Sequence, residues 1–323
     1  MNILVTGGAG YIGSHACKAL AAAGYTPVAY DSLINGHERA VQWGPLVKGD
    51  IRDGAVLSAA MERYAPAAVM HFAAFAYVGE SVTDPAKYYL NNVYGSLCLL
   101  EAMRTHGCRN IVFSSSCAVY GYPETLPLRE NHPRNPINPY GRTKLSIEYA
   151  LQDFGQAYGI NAFSLRYFNA AGADPQAEIG ETHDPETHLI PLVLQAALRD
   201  DSTLTVFGTD YDTPDGTCIR DYIHVADLAG AHIKALERLL AGDPGGALNL
   251  GTGTGFSVRQ IIEATRAVTG RDVRVAYGPR RPGDPPVLVA DSSLAASTLG
   301  WHPDYTDIQA IIETALRWQQ RTQ

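Results

Sequence analysis

Short apolar runs alternate along the first half of the chain with longer stretches in which apolar residues recur every three or four positions. Ile3-Leu4-Val5 precedes a helical pattern from Ile12 to Ala23, and Thr26 to Tyr30 forms the next run. Ala67-Ala68-Val69-Met70 precedes the pattern Tyr88 to Thr105, and Asn110 to Phe113 precedes Tyr140 to Tyr158 and the run Ala162-Phe163-Ser164-Leu165. Strand followed by helix, repeated, predicts a parallel sheet. The runs lack polar alternation, as strands covered on both faces by helices should. A doubly wound α/β fold is therefore expected. After Asn169 the alternation becomes irregular. Pro- and Gly-containing loops at 172–185, 208–216 and 278–286 separate helical patterns at Leu189 to Leu198, Val225 to Leu240, Val258 to Val268 and Ile308 to Arg321. This predicts a dinucleotide-binding domain over 1–169, to which later segments return, and a smaller interleaved lobe over 170–323. With no long linker between them, the two should share a cleft, and clefts of that kind hold ligands.

Composition narrows the class. Hydrophobic residues make up 46% of the 323 positions and charged ones 18%, enough for a large core, and no stretch approaches the ~20 uninterrupted apolar residues of a membrane helix. The expected partners exclude membranes. Twenty-five Lys and Arg against 33 Asp and Glu leave a net charge of −8, which repels polyanions, so no nucleic-acid partner is expected. The five cysteines (Cys17, Cys98, Cys108, Cys117, Cys218) are scattered and never in a Cys-x-x-Cys pair, as suits reduced thiols. The chain opens directly on a strand pattern with no cleavable apolar segment, so a cytoplasmic location is expected.

Between the first strand and the first helix lies Gly7-Gly8-Ala9-Gly10-Tyr11-Ile12-Gly13, which satisfies both G-x-G-x-x-G and G-x-x-G-x-x-G. Glycine is needed there because the turn is tight and the backbone must approach a pyrophosphate at the helix N-terminus. The next strand ends in Asp31, where an acceptor for ribose hydroxyls belongs, and no Arg follows it to meet a 2′-phosphate. NAD is thus the expected cofactor in a Rossmann-type site. Asp50 and Ile51, after Leu46-Val47-Lys48, are expected beside the adenine, although a plain strand-end turn explains them equally well.

Tyr140-Gly141-Arg142-Thr143-Lys144 sets a phenol and an ammonium one helical turn apart. A phenol titrates near ~10, and a neighbouring cation lowers that value, so Tyr140 can serve as a base. Ser114-Ser115-Ser116 stands at the end of a parallel strand, where ligands of such sheets bind, and a hydroxyl there can hold the same substrate oxygen.

These features resemble the extended short-chain dehydrogenase/reductase family, and within it the enzymes that epimerise UDP-sugars at C4. The likeness rests on residues 6–15 (TGGAGYIGSH), Val78-Gly79-Glu80-Ser81, Tyr88-Tyr89-x-Asn91-Asn92, Ser114 to Gly121, Leu165 to Asn169, Arg220 to His224 and Arg280 to Asp284. It covers residues 1 to about 318. The resemblance implies interconversion of UDP-glucose and UDP-galactose: Tyr140 takes the 4-hydroxyl proton, hydride passes to tightly bound NAD, and a 4-keto sugar turns over before hydride returns. It assigns Lys144 to the cofactor ribose and to tuning the phenol, and Ser116 to the sugar 4-hydroxyl. It further implies cofactor contacts at Gly7, Gly10, Tyr11, Ile12, Gly13, Asp31, Asn35, Asp50, Ile51, Phe72, Ala73, Asn91, Ser114 and Tyr167. Substrate contacts are implied at Asn169, His188, Leu189, Thr205, Phe207, Arg220, Arg281, Asp284 and Leu288, and the assembly at a homodimer. Thr187-His188-Leu189 departs from the family's Asn-Asn-Leu, and Ala76 from a frequent lysine. Leu288 takes the position that gates N-acetylated sugars. The alternatives are a 4-epimerase of another UDP-sugar, such as UDP-N-acetylglucosamine or UDP-xylose, and a sugar-nucleotide 4,6-dehydratase. The dehydratase would need an acid and a base where Cys117-Ala118 stand.

Two further clusters have metal-like composition. His183-Asp184-x-Glu186-x-His188 lacks a regular helical or hairpin frame, and Asp210 to Gly216 has Pro where the fifth ligand of a calcium loop belongs. No metal is expected at either.

Overall fold

The computed structural model describes residues 1–281 and 284–322. Its strands, in chain order, are β1 (Asn2–Thr6), β2 (Thr26–Asp31), β3 (Leu46–Lys48), β4 (Ala68–His71), β5 (Asn110–Ser116), β6 (Asn161–Tyr167), β7 (Asn169–Ala171), β8 (Leu204–Phe207), β9 (Ile219–His224), β10 (Gly245–Leu250), β11 (Gly255–Ser257), β12 (Val275–Gly278) and β13 (Val287–Leu288). Seven of them form one parallel sheet in the order β10-β6-β5-β4-β1-β2-β3. The expected doubly wound sheet is present, and the order reverses beside β1, the switch point at which such sheets bind ligands.

Alternate residues of each strand feed two cores. Ile3 and Val5 join Leu228, Ala231, Ala235 and Leu236 of helix Val225–Leu240, which packs on helix Tyr11–Ala22. Leu4 points the other way, to Leu57, Met61, Leu99 and Met103. Two-sided burial is the physical reason these strands are apolar throughout.

The pattern Tyr88 to Thr105 is helical but not uniform. A short helix at Pro85–Tyr88 leads through one wide π-helical turn, Tyr89–Tyr94, into helix Gly95–Thr105. Such turns insert a residue and re-aim the side chains around them. Helix Gly54–Tyr64, whose start is capped by Asp53, escaped the apolar pattern because it buries only Leu57, Ala60 and Met61.

Chain beyond Asn169 builds a second sheet in which β9 is flanked by β7 and β13, both parallel to it, and by antiparallel β11. β8 pairs with β12. A separate core of Val193, Leu194, Ile261, Ile311 and Ile312 lies beneath these strands, while β10 and helix Val225–Leu240 return to the large sheet. Tyr11 Oη, which donates to Gly172 O at 2.6 Å, ties the first helix to this part of the chain.

Candidate active site

The sheet's carboxyl edge gathers residues far apart in sequence. β1 ends at the glycine loop, β2 at Asp31, β4 at Phe72 and Ala73, β5 at Ser116 and β6 at Tyr167. Gly7 adopts φ +72°, and a Cβ there would stand 2.7 Å from Ala73 N, so the loop passes hard against the end of β4. A Cβ on Gly13 would run into the Gly7 carbonyl. The close packing of the loop lets its backbone lead directly into the N-terminus of helix Tyr11–Ala22, an arrangement that fits the pyrophosphate of a dinucleotide. Asp31 is buried, and its carboxylate accepts from Ala9 N at 2.9 Å and Leu33 N at 2.8 Å. Burial raises its pKa despite these bonds.

Asn35 lines a cavity with Gly10 and Tyr11. Asp50 forms an ion pair with Arg52 at 2.6 Å and lies at a strand-end turn, while Ile51 is buried in the core. Phe72 packs on His232, with ring centroids 4.7 Å apart. Asn91 is buried and donates to Asn92 at 3.0 Å. Asn92 itself holds the backbone of Phe75 at both N and O and reaches Thr143 Oγ1 at 3.2 Å. Sequence reasoning gave Asn92 and Thr143 no role, because only the fold shows them joining the β4 loop to the helix that carries Tyr140.

That helix, Pro139–Tyr158, starts where Asn138 accepts from Gly141 N at 2.8 Å, with Pro139 preset for the first turn. Lys144 is buried and donates to Ser114 O at 2.7 Å. Burial lowers its pKa to about 7, with Glu148 acting in the opposite sense. Ser114 Oγ meets the Tyr167 hydroxyl. Tyr140 lies with its ring centroid 5.8 Å from Lys144 Nζ. Its phenol is pushed up to about 12, mainly by burial, while a hydrogen bond with Ser116 pulls it down and the Cys117 thiol adds to the rise. Contrary to expectation, Lys144 by itself does not bring this phenol below its ordinary value. The ammonium is engaged at Ser114, and desolvation of the phenol outweighs what help it receives.

Register in the second sheet brings several of the expected substrate residues together. Leu288 stands opposite Arg220, and Asn169 opposite Tyr222. Arg220 pairs with Asp284, and Arg281 stacks its guanidinium 4.3 Å from the Phe207 ring centroid. Thr205 lies on the same strand as Phe207, exposed. Pro282 and Gly283 of the Arg280 to Asp284 motif lie outside the described residues. Leu288 is half-buried against a small core containing Tyr120, Leu145 and Phe168. Asp221 holds this arrangement: its buried carboxylate accepts from Thr252 N at 2.9 Å, Gly253 N at 3.0 Å and Ala290 N at 3.2 Å. It was legible only as a letter in a motif. His188 precedes helix Leu189–Leu198 and contacts Glu181. Burial works against the Glu181 carboxylate, but His188 and His183 outweigh it and hold its pKa at about 2.

Comparison with known proteins adds to this geometry. Residues 3–251 match the NAD dependent epimerase/dehydratase family. The chain belongs to that family. A Rhizobium meliloti (strain 1021) protein named UDP-glucose 4-epimerase is 55% identical over 320 residues, spanning 99% of this chain and 97% of its own. The UDP-glucose 4-epimerase of Brucella ovis, solved in complex with NAD, superposes with a TM-score of 0.96 at 57% identity, covering 98% of this chain and 97% of that one. The enzyme of Bifidobacterium longum, solved with NAD+ and UDP, gives 0.94 at 38% identity, covering 99% and 98%. In this epimerase/dehydratase chain no helix among the described residues is long and apolar enough to cross a membrane.

Proposed function

We propose that this chain interconverts UDP-glucose and UDP-galactose by inverting C4, with NAD held at the glycine loop and Asp31. The observation that carries the reading is that Tyr140 hydrogen-bonds Ser116 at the carboxyl end of β5 and Lys144 holds Ser114 O on that same strand, two strands along the sheet from β1 and its glycine loop. It is supported by relatives of that name at 55% and 57% identity over nearly the whole chain.

Tyr140 accepts the proton of the 4-hydroxyl, and Ser116 holds the same oxygen. A phenol at about 12 keeps its proton at neutrality, so the transfer needs added positive charge, part of which Lys144 supplies in its ammonium form. NAD held at the glycine loop and Asp31 would supply a reversible hydride acceptor for C4. Arg220 and Arg281 offer guanidinium forks to a diphosphate in an otherwise acidic protein, with Asn169, His188, Leu189, Thr205, Phe207 and Asp284 completing the nucleotide side. The 1–169 segment carries the cofactor and the 170–323 segment most of the sugar-nucleotide contacts. A 4,6-dehydratase is disfavoured because Cys117, in the place of its extra acid, is pushed up to about 12, burial being the main cause, and Ala118 has no titratable group.

Leu90, Tyr94 and Leu97, with Tyr149 on the neighbouring helix, form an exposed apolar face (56%, 52%, 38% and 46% exposed) that suits a homodimer. Light scattering should return twice 34.8 kDa. The five cysteines, all unpaired, suit a reducing cytosol. The activity is tested by mixing purified protein with UDP-galactose and no added NAD. UDP-glucose should form, and a dinucleotide should be released on denaturation. Absence of product with or without added NAD overturns the reading.

A further inference from the structure

The segment set aside for want of a regular frame is drawn together by the fold. Glu181, His183, Glu186 and His188 each present one ligand atom, and these four atoms lie within 4.8 Å of one another. His183 Nδ1 stands 2.9 Å from Glu181 Oε1 and 3.9 Å from Glu186 Oε1. His188 Nδ1 contacts that same Glu181 oxygen. We propose that these four side chains form a binding site for one divalent transition-metal ion of the zinc type.

A tetrahedral ion with bonds of about 2.0–2.2 Å sets its ligand atoms about 3.4 Å apart. The observed separations bracket that value. His188, whose side chain is 48% exposed, is the arm with room to adjust, while Glu181 and Glu186 are 5% and 9% exposed. His183 Nδ1 is sealed from solvent, and its contact with Glu181 is not aligned as a hydrogen bond, so a buried ring nitrogen is left unpartnered. Buried polar atoms of that kind call for a bound group.

The backbone is fastened so that the donors are pre-positioned. Trp318 Nε1 donates to Glu181 O at 2.8 Å, and Tyr77 Oη donates to Pro185 O at 3.2 Å. His37 Nε2 lies 3.0 Å from Thr182 O. Glu186 Oε1 accepts from Thr187 N at 2.7 Å and His188 N at 2.8 Å, which fixes its carboxylate. These ties are the outer support that a metal site requires. The cavity of about 200 Å³ that Asn35, Gly10 and Tyr11 line also reaches His183 and Trp318.

Two imidazoles and two carboxylates suit zinc, cobalt or nickel, whereas magnesium and calcium favour oxygen-only sets. The ion would clip the segment linking the glycine-loop side, where the Tyr11 and Tyr77 rings stand edge-on to His183 at 6.4 and 6.1 Å, to the first turn of helix Leu189–Leu198. Its role is to position that turn, whose His188 and Leu189 the reading above also sets on the nucleotide side, while metal binding itself is read out without the reaction.

Chelator-dialysed full-length protein titrated with cobalt(II) decides the matter. Visible d–d bands of a four-coordinate ion should saturate at one equivalent and be displaced by zinc. His183→Ala and Glu186→Gln should each weaken cobalt binding by at least about 10- to 100-fold. Zinc should raise the thermal midpoint of the parent but not of the variants. Glu186→Gln is nearly isosteric, so it keeps the test valid if His183→Ala fails to fold. No saturating band, a band that survives in both variants, or thiolate charge-transfer bands from the cysteines would each overturn the proposal.

Discussion

A phenol that titrates at about 12 is almost wholly protonated at neutral pH, so whatever base strength Tyr140 has depends on its neighbours. Tyr140→Phe keeps the ring packing and removes only the proton acceptor. Turnover should fall about 10²- to 10⁴-fold with UDP binding unchanged, as steady-state rates and a UDP titration will show. Retention of half the activity would remove Tyr140 from the base role. Leu288, half-buried opposite Arg220, is smaller than a tyrosine and bulkier than a serine. If it faces the sugar's 2-substituent, one misfit of about 1–3 kcal/mol should slow the N-acetylated substrate by roughly 10- to 200-fold without excluding it. Comparing kcat/KM for UDP-galactose and UDP-N-acetylgalactosamine across the parent, Leu288→Tyr and Leu288→Ser tests this. An identical ratio in all three places Leu288 away from the sugar.

One ion pair at the element scale fixes the helix that carries Tyr140 and Lys144. Glu148 accepts from Arg166 Nε at 2.9 Å and Nη2 at 2.6 Å, and from Ser115 Oγ at 2.6 Å. Helix Pro139–Tyr158 is thereby joined to β6 and β5 by a charged pair with both partners nearly fully buried. Removing one partner strands the other in low dielectric. Arg166→Met should cost about 3–5 kcal/mol in urea unfolding, whereas the double change Arg166→Met with Glu148→Leu should recover most of it. Equal losses in single and double variants would show that packing matters here more than charge. The sequence pattern placed this helix to within one residue, Tyr140 against the observed Pro139, because apolar periodicity and the Asn138-Pro139 start act locally. It missed helix Gly54–Tyr64 for the converse reason, a narrow apolar face.

Across the whole molecule, buried histidines govern the acid response. His15, His71, His224 and His232 are all at least nine-tenths buried. Burial is the main cause that lowers their pKa values, to about 4, 3, 3 and 4 respectively. The unfolded chain, titrating near ~6.5, binds protons that the folded one refuses, so stability rises with pH across this window. As pH falls from about 6.5 to about 4, each should remove up to about 1.4 kcal/mol per pH unit. Thermal midpoints at pH 7.5, 6 and 5 should fall accordingly, and His232→Leu should flatten the decline. An unchanged slope would mean that His232 is protonated without loss of the fold.

By itself the sequence determined the parallel sheet, the glycine loop, Asp31 and the Tyr140 to Lys144 spacing. Each follows from periodicity or from a steric need confined to a few neighbouring residues. Tertiary structure alone decided what surrounds those groups. Burial raised the Tyr140 phenol although a lysine lies one turn away, because desolvation depends on every element packed around the ring. Strand register set Leu288 against Arg220 from positions 68 residues apart (288 − 220). The same long-range packing made Asp221 a backbone anchor and turned Glu181 to His188, without regular structure of its own, into a four-donor cluster. Chain-local signals carry no record of such contacts, since their energy comes from partners that only the folded chain brings within reach.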